Sequence, residues 1–252
     1  MKILFTICGR AGSKGIKNKN IKEFVGKPLP YYTLSAIDLF LKRNTDIESD
    51  IVVNSDSWEL LDMMSNSGIR KVDVIEREAS LAGDTVGKID VIASSMEIME
   101  KRKNINYDVI IDLDITSPLR KVCDIENLIR IHFEKKPDVT TSVTTARRNP
   151  YFNQVMKTNK GVKKVIDSNY TARQQAPQIF DMNASMYAYS PDYLKSGKGV
   201  LNGYCEVIEM YDTGILDLDH ENDFELMEVI AKYLYEKYKD FNEIRENIYE
   251  GE

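Results

Sequence analysis

Ile3-Leu4-Phe5-Thr6-Ile7-Cys8 runs directly into Gly9-Arg10-Ala11-Gly12-Ser13-Lys14-Gly15-Ile16-Lys17-Asn18-Lys19-Asn20. The first run is short, apolar and rich in β-branched and aromatic residues, which predicts a buried strand. The second is rich in glycine and cations. Glycines let backbone N–H groups approach an anion, and Arg and Lys supply charge, so a strand leading into such a loop predicts a phosphate site. The loop fits neither common phosphate frame. A Walker loop needs Gly, four residues and then Gly-Lys-Ser/Thr, and a dinucleotide loop needs Gly-x-Gly-x-x-Gly, whereas residues 9–15 read Gly-x-x-Gly-x-x-Gly. The cations favour a free polyphosphate, such as a nucleoside triphosphate, over a dinucleotide pyrophosphate. A solvated basic turn is the alternative.

Outward from this stretch, short apolar runs alternate with helical patterns. Candidate strands are Ile3–Cys8, Asp50–Asn54, Lys71–Ile75, Asp108–Leu113 and Val139–Val143. Between and after them come helical stripes: Leu34, Ile37 and Leu41; Ile89, Ile92, Ala93, Met96 and Met99; Ile125, Leu128, Ile129, His132 and Phe133; and Phe224, Met227, Ala231 and Leu234. This alternation predicts an α/β protein with a mostly parallel, doubly wound, Rossmann-like sheet covered on both faces. His132 lies on an apolar stripe and reads as a packed core residue. The rhythm breaks at 149–180, a polar excursion with a hairpin expected over Phe152–Ile166. The acidic end, Glu243–Glu252, reads as a frayed terminus. With no repeat, low-complexity stretch or linker, 1–252 reads as one domain. Ligands of such sheets bind beyond the carboxyl ends of the strands, so the loops starting at Gly9, Ser55, Glu76, Asp114 and Thr144 are expected to converge.

The formal net charge of −6 argues against general nucleic-acid binding, and local cations in an acidic chain point to a small anionic ligand. Cys8, Cys123 and Cys205 are widely spaced without a Cys-x-x-Cys pair, which suits a reducing compartment and offers no metal framework. No apolar run approaches a membrane span or a signal peptide, so the expected location is the cytoplasm, with no membrane partner.

Four further blocks carry chemistry. In Glu76–Thr85, Arg77 offers a planar donor fork, while Asp84 and Thr85 serve either a ligand or merely the cap of a helix starting near Val86. Asp112-Leu113-Asp114-Ile115-Thr116-Ser117-Pro118-Leu119-Arg120 closes the most apolar strand, and Arg120 reads as a structural partner of Asp124. In Asp217-Leu218-Asp219-His220-Glu221-Asn222-Asp223, alternation puts Asp217 and Asp219 on one face, where they repel unless a cation sits between them. Mg²⁺ takes one or two carboxylates together with phosphate oxygens. Asp219 and Asp223 also suit a helix start, which leaves Asp217 unexplained. His220 reads as a first-turn surface residue. Arg173-Gln174-Gln175-Ala176-Pro177 and Asp181–Tyr187 make the last block.

Taken in order, Arg10-x-x-Ser13-Lys14-Gly15 with Lys19-Asn20, Arg77…Leu81-Ala82…Asp84-Thr85, Leu113…Thr116-Ser117-Pro118-Leu119-Arg120, Arg173-Gln174-x-x-Pro177 with Asn183-x-x-x-Tyr187, and Asp217-x-Asp219 resemble the acylneuraminate cytidylyltransferases. These are the CMP-sialic acid synthetases and relatives acting on legionaminic and similar nine-carbon acids. The resemblance implies a nucleotide-diphospho-sugar transferase fold and a reaction in which CTP and a nonulosonic acid give CMP-sugar and diphosphate. It implies that Arg10, Ala11, Gly12, Ser13, Lys19, Asn20, Arg77, Asp84 and Thr85 bind nucleotide, with Arg10 and Lys19 catalytic. Asp217 and Asp219 would be catalytic through Mg²⁺. Asp114, Thr116, Ser117, Arg173, Gln174, Asn183 and Tyr187 would face the sugar. It further implies a homodimer through 149–180, with Arg173 near the partner's site. Asp114-Ile115 replaces the family's Gln-Pro, and the arginine expected before Asn183 is Asp181-Met182 here. Those departures point away from N-acetylneuraminate and toward the legionaminate-type branch.

Three rivals remain at this point. One is another sugar nucleotidyltransferase, of the CMP-Kdo type or using GTP. The second is a non-catalytic nucleotide-binding protein, expected to lose Asp217 or Asp219. The third is an NAD-dependent oxidoreductase, which needs an acidic residue about 20 positions beyond the loop, where Leu29, Pro30 and Tyr31 stand.

Overall fold

The computed structural model describes residues 1–12, 15–83, 86–211, 218 and 220–250, with Arg173 and Glu250 described by backbone alone. In chain order the elements are β1 (Lys2–Cys8), β2 (Glu23–Phe24), β3 (Lys27–Pro28), α1 (Leu29–Arg43), β4 (Glu48–Ser55), α2 (Trp58–Ser65), β5 (Asp73–Glu76) and α3 (Lys88–Lys103). There follow β6 (Val109–Leu113), α4 (Val122–Lys135), β7 (Val139–Thr145), β8 (Val155–Thr158), β9 (Gly161–Lys164), β10 (Phe180–Tyr189), α5 (Pro191–Lys195), β11 (Cys205–Glu209), α6 (Glu221–Lys237) and α7 (Lys239–Glu250).

Seven strands form one sheet in the order β11-β7-β10-β6-β1-β4-β5. All neighbours are parallel except β10, which runs antiparallel to both β6 and β7. The five expected strands are all in this sheet. β1 is a continuous apolar run because both its faces are covered. Ile3, Phe5 and Ile7 enter the core shared with α1, α2, α4, α6 and α7, while Leu4 enters the smaller core under α3 and α5. On that second face the strands change character toward their carboxyl ends. Leu4 gives way to Thr6 and Cys8, and Ile110 to Asp112 and Asp114, so the apolar core ends in a polar floor. Among the described residues no helix is long and apolar enough to cross a membrane.

The structure corrects the sequence reading in four places. β10 and β11 were not expected as strands, yet β10 is central. It carries a bulge where the register shifts between Met182 and Tyr187, with Ala184 at φ 51°. The acidic end is not frayed: α7 buries Phe241, Ile244 and Ile248. Ser35 Oγ donates to the Ile244 carbonyl at 2.6 Å, and Asn247 Nδ2 donates to Asp38 Oδ2 at 3.0 Å. Phe133, placed on the buried stripe of α4, is exposed, whereas His132 is buried as expected. Arg120 does not spend its guanidinium on Asp124. Asp124 Oδ2 instead accepts the Lys121 backbone N–H at 2.8 Å and caps α4.

In 149–180, β8 and β9 form an antiparallel hairpin separate from the main sheet, within the expected Phe152–Ile166 span. Val155, Met156, Val162, Val165 and Ile166 stand exposed on it.

Candidate active site

Beyond the carboxyl ends of β1, β5 and β6 lies a cavity of about 470 Å³. Arg10, Lys19, Asn20, Arg77, Asp114 and Thr116 line it, six of the residues singled out in the sequence, together with Cys8, Gly15 and Lys88. The converging loops are those that a switch point in an open α/β sheet supplies.

The glycine-rich loop is anchored from several sides. Gly9 passes so close to its neighbours that an added Cβ would meet Leu60 Cδ2 at 2.5 Å and Ile115 Cδ1 at 2.9 Å. Asn20 Nδ2 donates to the Arg10 carbonyl at 3.0 Å. Arg77 holds the base of the loop: Nε donates to Asn54 Oδ1, and Nη2 to the carbonyls of Gly9 and Asn54, each at 2.9 Å. Arg77 therefore has a staple role that its sequence context does not show. Ala11 N–H is held by Asp56 Oδ1 at 2.7 Å, and Ala11 and Gly12 line a separate small cavity of about 80 Å³ toward α2. Lys19 Nζ donates to the Leu218 carbonyl at 2.6 Å, and Leu218 is fully buried. That contact brings the chain at 218 beside the loop. Ser13, Asp84, Thr85, Asp217 and Asp219 lie outside the described residues.

The floor of the cavity is a charge cluster. Thr6 Oγ1 donates to Asp112 Oδ1 at 2.8 Å. Lys88 Nζ lies 2.7 Å from Asp112 Oδ2 and 2.7 Å from Asp114 Oδ2. Thr116 donates to Asp114 Oδ1 twice, from its backbone N and its Oγ1, each at 2.8 Å. Burial alone would raise the Asp114 pKa, but Lys88 and the Thr116 donors hold it at about 2. Burial would likewise lower Lys88, and the two carboxylates instead push it well above its ordinary value. Burial, and then Asp112, push the Cys8 thiol up, which favours its protonated form. Both Asp114 oxygens thus have partners inside the protein.

Behind this floor the bulge of β10 locks the turn after β6. Asp114 N donates to the Ser185 carbonyl at 3.0 Å. Arg120 Nη2 donates to the carbonyls of Asp114 and Ser185, and Nη1 to Thr33 Oγ1 at 3.1 Å. Asn183 is buried, accepting from Ser142 Oγ at 2.6 Å. Tyr187 stands opposite Asp112 in the strand pairing and stacks on Tyr189.

The expected sugar-facing set is therefore divided within one chain. Asp114 and Thr116 line the main cavity, Ser117 and Asn183 are buried, and Gln174 lines a different cavity of about 300 Å³ with Thr145, Asn149 and Pro177. The Arg173 side chain lies outside the described residues. Two members of the floor, Lys88 and Asp112, were not singled out. Asp112 was hidden in a run that reads as buried strand. Lys88 reads as a solvated helix-start lysine, because its partners are more than twenty residues away. Among the described residues no cluster of three or more His, Cys, Asp or Glu side chains is arranged to hold a metal.

Comparison with known proteins agrees with the fold. The solved structure of CMP:2-keto-3-deoxy-manno-octonic acid synthetase complexed with CTP superposes with a TM-score of 0.63 at 15% identity, covering 92% of this chain and 99% of that one. CMP-N,N'-diacetyllegionaminic acid synthase of Campylobacter jejuni is 33% identical over 240 residues, 95% of this chain and 99% of the relative. Post-translational flagellin modification protein B of Campylobacter coli is 33% identical over the same shares. The profile of the family described as Cytidylyltransferase matches residues 4–250, and the chain belongs to that family.

Proposed function

We propose that this protein transfers the cytidylyl group of CTP to the anomeric hydroxyl of a nonulosonic acid of the legionaminic type, releasing diphosphate. The observation that carries the reading is the cation-lined cavity at the strand ends of an acidic cytidylyltransferase, where Arg10, Lys19 and Arg77 converge. The legionaminic assignment draws on the 33% identity to a CMP-N,N'-diacetyllegionaminic acid synthase.

In this reading Arg10 and Lys19 take the triphosphate by charge-assisted hydrogen bonds and follow the charge as diphosphate leaves. Arg77 fixes the loop that carries Arg10. Thr116, held by Asp114, and the turn after β6 position the sugar acid. Catalysis of this kind is positioning plus electrostatics and needs no covalent nucleophile. Asp217 and Asp219 are the hard oxygen donors suited to Mg²⁺, and Leu218 between them in the chain contacts Lys19. Mg²⁺ bound there would supply neutralisation of the phosphate charge. The chain acts as one cytoplasmic unit that dimerises through 149–180, where the β8–β9 hairpin exposes its valines.

The test is diphosphate release from CTP with N,N'-diacetyllegionaminate, N-acetylneuraminate and 3-deoxy-manno-octulosonate, with GTP and UTP as controls. Legionaminate with CTP is expected to give the highest kcat/KM. An equal or higher value for N-acetylneuraminate would overturn the sugar assignment, and absence of turnover with every acid would overturn the activity.

A further inference from the structure

Two carboxylates at the end of one strand, facing a cavity that receives a triphosphate, have the makings of a metal site. Asp112 lies on β6 and Asp114 one residue past its end, and both carboxylates meet Lys88. Their surroundings say otherwise. One oxygen of each is already committed, Asp112 Oδ1 to Thr6 and Asp114 Oδ1 to Thr116. The remaining oxygen of each lies 2.7 Å from a single nitrogen, Lys88 Nζ. The Asp114 contact is a charge-assisted hydrogen bond and the Asp112 contact an ion pair without hydrogen-bond alignment, whereas Mg²⁺ sits about 2.0–2.1 Å from its oxygens and asks for six of them. Lys88 is moreover the first residue of a sixteen-residue helix, whose N-terminus disfavours a cation. It stands against that field because two carboxylates hold it there. Its side chain still lines the cavity.

We propose that Lys88 is a tethered cation that fills the Asp112–Asp114 pair, closes it to divalent metal, and positions Asp114 to hold Thr116. Asp112 then serves as a positioning residue acting through Lys88. The inference rests on the cytidylyl-transfer reading only for what it means in the reaction: any metal is held elsewhere, and the floor charge is supplied by the protein. The metal count itself can be read without turnover.

The experiment counts Mn²⁺ bound per chain by electron paramagnetic resonance, on the full-length protein without nucleotide. Lys88→Arg and Asp112→Asn are each expected to bind the same number as the unaltered protein. Lys88→Met is expected to gain one Mn²⁺ per chain, and Lys88→Met/Asp112→Asn to lose that gain. A Lys88→Met protein with unaltered circular dichroism and no additional Mn²⁺ would overturn the proposal. So would loss of bound Mn²⁺ in Asp112→Asn alone, which shows the pair already holding metal beside Lys88. That second arm stands even if Lys88→Met does not fold. Failure of CTP turnover with all sugar acids leaves these counts unaffected, so the two readings fail separately.

Discussion

Arg120 is 1% exposed, and burial lowers its pKa to about 10, against the pull of Asp114, Asp112 and Asp124. It remains charged at neutral pH and ties β6, β10 and α1 together through two carbonyls and Thr33. Arg120→Leu leaves those acceptors and the nearby carboxylates without their cation, and is expected to cost about 3 kcal/mol in urea unfolding. His132 shows the opposite case. Burial holds its pKa at about 4, below the ordinary 6.5, with its ring 3.0 Å from Thr140 Oγ1. The unfolded chain takes up a proton below pH 6.5 that the folded ring refuses, so stability falls as pH drops toward 4, by roughly 3 kcal/mol from this residue. His132→Gln is expected to flatten that slope between pH 4 and 6.5, read from urea midpoints across the range. The site is legible at this scale where signal is local. Arg10, Lys19 and Asn20 stand out by composition alone, and all three line the cavity. The cluster of Lys88 with Asp112 and Asp114 is illegible, because it exists only once α3 packs beside β6.

The same division between local and distant signal governs the elements. β1 and β6 are legible as apolar runs buried on two faces, β4 and β5 by their short apolar centres, and β7 by its β-branched residues. β10 is not, since Phe180–Tyr189 mixes Asp181, Asn183 and Ser185 among its apolar residues and breaks alternation at a bulge. Its Asn183 side chain accepts from Ser142, and its Ser185 carbonyl accepts from Asp114 and Arg120, partners supplied by other strands and turns. α7 escapes notice for a similar reason: its charges outnumber its apolar residues, yet Phe241, Ile244, Asn247 and Ile248 are buried. Asn247 is the polar link to α1, accepting from Lys42 Nζ at 2.7 Å and donating to Ser35 and Asp38. Asp38 is buried, which would raise its pKa, but Asn247, Lys42 and Arg70 together lower it. Asn247→Ala is expected to destabilise by about 2 kcal/mol, since it strips a donor from a buried carboxylate. The drop in melting temperature on Asn247→Ala should exceed that on the half-buried Asn242→Ala, and equal effects would remove α7 from the folding core.

For the whole molecule, an acidic chain presenting a cationic cavity steers small anions to one place. The exposed valines of the β8–β9 hairpin give that chain a second outward feature, since two strands alone are marginal in water. Val155→Glu with Val162→Glu is expected to shift light-scattering mass from dimer to monomer, and an unchanged dimer would place the interface elsewhere. Sheet order also imposes a timetable on synthesis. β10 lies between β6 and β7, yet it leaves the ribosome after both. Until Tyr189 has emerged, β6 keeps an open edge, and β7 has no route into the sheet. A growing chain therefore carries β7 unjoined from the β6-β1-β4-β5 group, with open strand edges exposed to other nascent chains. A stalled chain ending near Tyr170 should remain sensitive to protease through β7, and one extending past Glu209 should resist it. Overproduction faster than chaperones can shield that interval would send this protein into inclusion bodies, and slowing translation across residues 146–189 would recover it.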